Sequence, residues 1–488
     1  MDALNSVVDW LNNVLWGFLM TPLLLATGVY FTFRLKFIQV RHFGHMFSVM
    51  RNSTKAKHGG VTSFGAFATS LAARVGTGNI AGVATALVVG GPGAVFWMWV
   101  VALIGMCTAM VEATLAQVYK HRDEDEKSLF RGGPAYYMQR GLGSRGMGVL
   151  FSIALIIAFG FAFNGVQANS IAAAMDEAFG VPVGITAAIL VAITSGVIFG
   201  GIRRIAKVAE LVVPVMAIAY LLVAVVVIAL NITEIPGVIA LIVKSAFGAG
   251  ELAGGAIGYT VAQAIQNGVK RGLFSNEAGQ GSAPNAAATA DVDHPATQGY
   301  VQALGVFVDT IIICTATASM ILLSGVYSSG FVGGLYEGSA KGVALTQQSL
   351  SDSVGSWGSN FIAIALLFFA FTSILANYYY GETSLLFINK GRHRALAPFR
   401  VLVLLMVIFG ALVNATTIWN MADVAMGIMA LLNIVAILLL SPTATKVIFD
   451  YDRQRRAGRA PVFTRDTVPG IKGIESDVWN PDQQRTSA

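Results

Sequence analysis

The sequence predicts an all-α polytopic membrane protein of about eleven transmembrane helices, one peripheral and ten in a 5+5 inverted-repeat core with two broken helices. Three observations carry this reading. Of 488 residues, 55% are hydrophobic and only 12% charged, too apolar and too long for one soluble core. Apolar runs of spanning length fall near 13–33, 61–90, 93–119, 147–175, 183–200, 208–230, 255–285, 299–325, 358–388, 396–415 and 418–440. Lysine and arginine alternate from loop to loop.

That alternation fixes the expected orientation, because short cytoplasmic loops collect Lys and Arg. Residues 34–60 carry Arg34, Lys36, Arg41, Arg51, Lys55 and Lys57, and 120–145 carry Lys120, Arg122, Lys127, Arg131, Arg140 and Arg145. Arg203, Arg204 and Lys207 follow, then Lys390, Arg392, Arg394 and Arg400, whereas the opposite loops hold only Lys244 and Lys341. The loop 286–298 has neither residue type and is neutral. The N-terminus is therefore expected outside and the C-terminus in the cytoplasm, in a bacterial-type plasma (inner) membrane. Asp2 and Asp9 stand where a cleavable signal would carry positive charge, so the first span is expected to stay. The formal charge of +6 is topological, and no nucleic-acid partner is expected. Cys107 and Cys314 sit inside apolar runs without metal-ligand spacing and read as core residues.

The expected organisation is a peripheral helix with a basic loop (1–60), a five-helix repeat (61–230), an extracellular connector (231–254), a second five-helix repeat (255–440) and a basic cytoplasmic tail (441–488). Five spans per half force the halves into opposite orientations. The tail's mixture of charge, Pro, Gly and Gln predicts disorder and adhesion to the membrane surface.

Spans two and seven are longer than a bilayer requires, and small polar residues interrupt both. The first interruption is Ser70-Leu71-Ala72-Ala73-Arg74-Val75-Gly76-Thr77-Gly78-Asn79; the second is Gly272-Leu273-Phe274-Ser275-Asn276-Glu277-Ala278-Gly279-Gln280-Gly281-Ser282. A backbone freed from helical bonding persists at membrane depth only where it lines protein or a polar cavity. Half-helix ends then offer positive dipoles to a carboxylate, and unwound carbonyls offer oxygen to a cation. An amino acid, with a cation such as sodium, meets both demands. Glycines of a helix-packing face are the competing explanation.

These strings, together with Gly132-Gly133-Pro134-Ala135-Tyr136-Tyr137-Met138 and Gly281-Ser282-Ala283-Pro284, resemble the alanine or glycine:cation symporter family, also called sodium:alanine symporters, over nearly the whole chain. The resemblance implies a leucine-transporter-type fold. It also implies that the backbone at Thr77 and Gly78 receives the substrate carboxylate, with Asn79 beside it and Phe274, Ser275 and Asn276 facing the same cavity. Sodium ligands carried over by motif are the carbonyls of Ala72, Val75 and Phe369 and the hydroxyls of Thr372 and Ser373; hydroxyls bonded back to their own helix are the alternative. Asn164 and Gln167 lie three apart on nearly one face of the fourth span, and Gln167 is the chosen substrate contact, against a purely interhelical hydrogen bond.

Arg74, Glu112, Glu210, Lys270, Arg271, Glu277, Asp309 and Glu382 fall within or at the ends of spans, where charge is costly and paired or functional. Glu277 either holds the unwound segment through backbone N–H groups or pairs with Arg74. Trp97, Trp99, Trp357, Trp419 and Tyr378-Tyr379-Tyr380 read as interfacial belts. The functional expectation is sodium-coupled symport of alanine or glycine into the cell by alternating access. Proton coupling and a non-transporting amino-acid sensor are the alternatives. A channel would show rings of charge, and no HExxH or GxSxG pattern suggests an enzyme. Partners are thus the amino acid, sodium and lipid; the oligomeric state is left open.

Overall fold

Helices appear wherever the sequence is continuously apolar, and they end where caps, glycines or charges demand it. The computed structural model describes residues 2–53, 60–124, 126–248, 256–332, 335–475 and 477–480. Lys55 and Lys57 of the first basic loop, positions 249–254 of the expected connector, position 255 of the expected second repeat and positions 481–488 of the expected tail lie outside them. We label the principal helices α1 (Val7–Arg34), α2 (Phe43–Arg51), α3 (Ser63–Arg74), α4 (Gly78–Gly90), α5 (Gly93–Val118), α6 (Arg145–Phe179), α7 (Val183–Ile198), α8 (Gly201–Leu230), α9 (Ile235–Ala246), α10 (Ala256–Asn276), α11 (Pro295–Leu322), α12 (Val343–Val354), α13 (Trp357–Ile388), α14 (His393–Leu412), α15 (Ala415–Leu439) and α16 (Ser441–Arg456). Local chemistry starts them: Thr62 accepts the Gly65 N–H at the head of α3, Ser144 that of Met147 in α6, and the His294 ring that of Ala296 in α11.

Among the described residues, eight helices are long and apolar enough to cross a membrane, or nine when α3 and α4, bent by 47°, count as one span. Two of the expected spans differ in form. The stretch 183–200 yields α7 of only 16 residues, because Pro182 precedes it and Gly200 and Gly201 follow it. The stretch 255–285 stops as helix at Asn276, and the far side of its break is only the short turn Pro284–Ala287, not a second half-helix. The expected connector contains α9.

Burial separates a core from a lipid-facing shell. Helix α5, the most central, packs against α10, α11 and α1. Helix α8 exposes Leu211, Val215, Ile218 and Leu222, an i, i+4, i+7, i+11 stripe that suits hydrocarbon. Helices α1, α6 and α11 each contain a widened π-type turn, at Asn13–Met20, Ile156–Phe163 and Phe307–Cys314; such turns displace carbonyls and collect at functional places.

The tail departs from expectation. Beyond α16 the chain packs back onto the bundle, with Phe463 and Trp479 buried. Trp479 Nε1 donates to the Gln117 carbonyl at 3.2 Å and the Phe463 N–H to that of Asp293 at 2.9 Å, while Arg140 pairs with Glu475 at 2.6 Å. Two aromatics among the charges supply an apolar anchor that average composition conceals. The belt reading fails for Tyr378, Tyr379 and Tyr380, all fully buried. Both cysteines are buried and free, as expected.

Candidate functional site

The first break arises where Val75 leaves helical geometry (φ −80°, ψ 86°) and α4 resumes at Gly78. Its freed donors find side chains. The Gly76 N–H donates to Asn79 Oδ1 at 2.9 Å. The Thr77 N–H and hydroxyl both donate to Gln167 Oε1, at 3.0 and 2.6 Å. One oxygen thus receives an amide and a hydroxyl together, the pattern a carboxylate oxygen would accept. A Cβ on Gly76 would lie 2.3 Å from Ser373 Oγ and 2.9 Å from Gln167 Oε1, so glycine is required by close approach.

The second break is built differently. Glu277, Gly279 and Gly281 all have positive φ, at 59°, 99° and 83°. Asn276 Oδ1 accepts the Ala278 N–H at 3.0 Å, and Gln280 Nε2 donates to the Leu273 carbonyl at 2.5 Å. The carboxylate of Glu112, from α5, accepts the N–H groups of Gly279 and Gly281 at 2.9 and 3.0 Å. Asn433 of α15 donates to Glu112 and, at 3.0 Å, to the Gly279 carbonyl; Tyr137 in turn donates to Asn433.

The two breaks touch. A Cβ on Gly78 would lie 3.0 Å from Phe274 and 3.2 Å from the Ser275 Cα. Asp309, in the widened turn of α11, joins them: Asn79 Nδ2 donates to one carboxylate oxygen at 2.6 Å, and Ser275 and Thr310 donate to the other at 2.8 and 2.7 Å. Phe274 stacks on Phe163 (4.4 Å between centroids) and meets Trp419 at 4.8 Å, making an aromatic wall. Beyond it, Asp423 takes Arg271 at 2.5 Å and Lys270 at 3.2 Å, and Arg271 lies over Trp419.

Beside the first break, Ser373 Oγ donates to the carbonyls of Ala72 at 2.7 Å and Phe369 at 3.0 Å; Thr372 Oγ1 reaches only the Phe369 carbonyl, at 3.0 Å. Ser373 therefore bridges α13 to α3, while Thr372 bonds within its own helix. Carbonyls and hydroxyls, neutral oxygen donors held in dry surroundings, fit a hard monovalent cation. No cluster of three or more His, Cys, Asp or Glu that could hold a metal occurs among the described residues.

The residues expected at the substrate positions, Thr77, Gly78, Asn79, Gln167, Phe274, Ser275 and Asn276, are buried at or beside the two breaks; of those expected at the cation position, Ser373 joins the Phe369 and Ala72 carbonyls beside Val75, whereas Thr372 is buried on α13 without touching the break. The proposed Arg74–Glu277 contact is not formed: Arg74 donates to the Gln302 carbonyl at 3.2 Å, and Glu277 accepts from Ser282 at 2.7 Å. Holding the second break falls to Glu112 instead. Sequence reasoning missed the roles of Glu112, Asn433 and Asp309 and read Trp419 as a belt residue. One signal was available: an acid inside a 26-residue apolar helix should be matched to freed N–H groups elsewhere.

The profile of the sodium:alanine symporter family matches residues 1–465. The chain belongs to this family. Among curated relatives of this symporter-family chain, a probable sodium/glutamine symporter, GlnT, of Bacillus subtilis (strain 168) is 48% identical over 475 residues, 97% of this chain and 96% of the relative. The amino-acid carrier protein AlsT of the same bacterium is 48% identical over 480 residues, 98% of each chain. A solved manganese transporter of Eremococcus coleocola, 16% identical, superposes with a TM-score of 0.52 over 79% of this chain and 80% of its own; that likeness concerns the fold. The symporter-family chain is a membrane-integral, cation-coupled amino-acid transporter and not an enzyme.

Proposed function

We propose that the protein is a sodium-driven symporter that carries alanine or glycine into the cell by alternating access. The observation that supports it best is the doubly bonded Gln167 oxygen at Thr77: the substrate carboxylate displaces it and takes the same amide and hydroxyl, with Gly78 and Asn79 alongside. Phe274, Ser275 and Asn276 line the facing wall, and the free Asn276 Nδ2 offers a further donor. Sodium takes the carbonyls of Ala72, Val75 and Phe369 with the hydroxyls of Thr372 and Ser373. Because Ser373 bonds the carbonyl of Ala72, three residues from Val75, cation binding stiffens the break that binds the substrate. Each ligand then raises the other's affinity.

The aromatic wall of Phe163, Phe274 and Trp419, packed ring on ring beside the breaks, supports alanine and glycine over the glutamine named for one relative. In this reading 61–230 and 255–440 are the inverted halves, 1–60 and 441–488 flank them, and the N-terminus faces outward from a bacterial inner membrane. The test is radiolabelled alanine uptake into proteoliposomes with a sodium, lithium or proton gradient, with glycine, serine and glutamine as competitors. Sodium-driven accumulation blocked by glycine supports the proposal; gradient-independent uptake rejects sodium coupling, and binding without flux marks a sensor.

Proton coupling is the second reading. It is favoured by Asp309, a fully buried carboxylate that both breaks touch and that no lysine or arginine contacts in an ion pair among the described residues. Uptake driven by a proton gradient alone, and lost in Asp309→Asn, would favour it over sodium.

A further inference from the structure

Ser373, Asn377 and Tyr380 lie at i, i+4 and i+7 on α13, which places them on one helical face. Ser373 belongs to the site already described. The next two sit about 6 and about 10 Å further along the helix, toward the Arg-rich end at Arg392 and Arg394. Both are fully buried, yet neither polar atom of the Asn377 amide nor the Tyr380 hydroxyl has a hydrogen-bond partner among the described residues. Apolar side chains would fill these positions at lower cost, because a buried, unpaired amide or hydroxyl destabilises a fold.

Tyr380 is joined to the site through aromatic rings. Its ring stands edge-on to Phe159, which stacks on Phe163, and Phe163 stacks on Phe274 of the second interrupted helix. An amide and a phenol with no partner of their own suit the two ends of a zwitterion: carboxylate to the Tyr380 hydroxyl and the Asn377 nitrogen, ammonium to the Asn377 oxygen.

We propose that Asn377 and Tyr380 form a second and transient station for the amino acid on the release side of the primary site. The proposal rests on the symport reading. Its groups stay unpaired between passages because a station that bound its own lining tightly would trap the substrate or close against it. Asn377 and Tyr380 therefore set the rate of release and leave affinity at the primary site to Thr77 and Gln167.

The test uses full-length protein with alanine as probe. Flux by the unaltered protein in proteoliposomes decides the symport reading first; the variants are then compared in the same preparation. Asn377→Leu and Tyr380→Phe each lower turnover about tenfold, the loss of one hydrogen bond's worth of barrier lowering. Equilibrium binding of alanine to the detergent-solubilised variants is unchanged, and the thermal midpoint of Asn377→Leu rises, since an unpaired amide is removed. Asn377→Ser, which keeps a hydroxyl, recovers most of the turnover and guards against misfolding. Wild-type turnover in both Asn377→Leu and Tyr380→Phe overturns the station; so does a loss of equilibrium binding in step with turnover, which would place both residues in the primary site or the scaffold.

Discussion

The two interrupted segments solve the same problem in opposite ways. At the first, no residue has positive φ, and the freed donors of Gly76 and Thr77 rest on single oxygens of Asn79 and Gln167. At the second, three left-handed residues are held by the Glu112 carboxylate and the Asn433 amide from two distant segments, with Tyr137 of a third bonded to Asn433 and Gln280 bracing the break from within. Bonds made by one neutral oxygen are easily exchanged for those of a ligand; bonds made by a buried, multiply bonded carboxylate are not. The first break is therefore the exchangeable half of the site and the second its frame.

Glu112→Gln tests the frame and has the largest expected effect. The glutamine keeps one acceptor oxygen but sets an NH2 against the backbone N–H that the other oxygen accepted, so about 3 kcal/mol of stability is lost, together with transport, and ligand does not restore either. Thermal unfolding in detergent measures it. A Glu112→Gln protein as stable and active as the parent would erase the distinction between frame and exchangeable break.

Gly76→Ala is the matching change at the first break. The new methyl group presses on Ser373 and Gln167 at distances no Cβ tolerates, and overpacking of this kind costs roughly 1–3 kcal/mol. The clash with Ser373 distorts the break in the folded protein itself, so sodium-dependent alanine binding weakens about 10- to 100-fold and the unfolding midpoint falls by a few degrees at most. A large drop in stability with binding intact would reverse the assignment.

How much of this was legible in the sequence follows the same division. The first break reads directly because its working groups, Thr77, Gly78 and Asn79, are consecutive, and short polar residues at membrane depth need a reason. The second break is visible as a string, but its brace comes from Glu112 and Asn433, 167 and 154 residues away from Gly279, and no local pattern announces which carboxylate meets which glycines. Tyr380 was misread for a related reason: three consecutive tyrosines suggest an interface, and only their burial removes them from it. The tail failed because its averaged composition hid Phe463 and Trp479.

The cation position gives a smaller contrast within one helix. Ser373 touches the first break and Thr372 does not, so Ser373→Ala should raise the half-saturating sodium concentration about fivefold, near 1 kcal/mol, and Thr372→Ala less. Sodium titration of alanine uptake reads both. Equal effects would mean that Thr372 turns toward the break when sodium binds.

The smallest effect concerns the chain just past the second break, where the frame meets the docked tail. Gln117 and Lys120 donate to the carbonyls of Ala287 and Ala290, and the Lys120 ammonium lies 4.9 Å from the centre of the Trp479 ring. Burial pushes the Lys120 pKa down from 10.5 to about 7, against the opposing pull of Asp291 and with a further push from Arg122. With the tail undocked and the lysine hydrated, the proton is held to higher pH. Between about 7 and 10.5 the undocked form thus binds more protons, so docking strengthens as pH rises through that window and is weakest, and flat, below it. Raising the pH from 6 to 8 should add about 1.4 kcal/mol at most. Limited proteolysis of residues 457–480 at the two pH values, referenced to Lys120→Met to cancel the protease's own pH profile, measures it. Protection that falls with rising pH, or that varies identically in Lys120→Met, would detach the tail from the frame and leave Glu112 as its main brace.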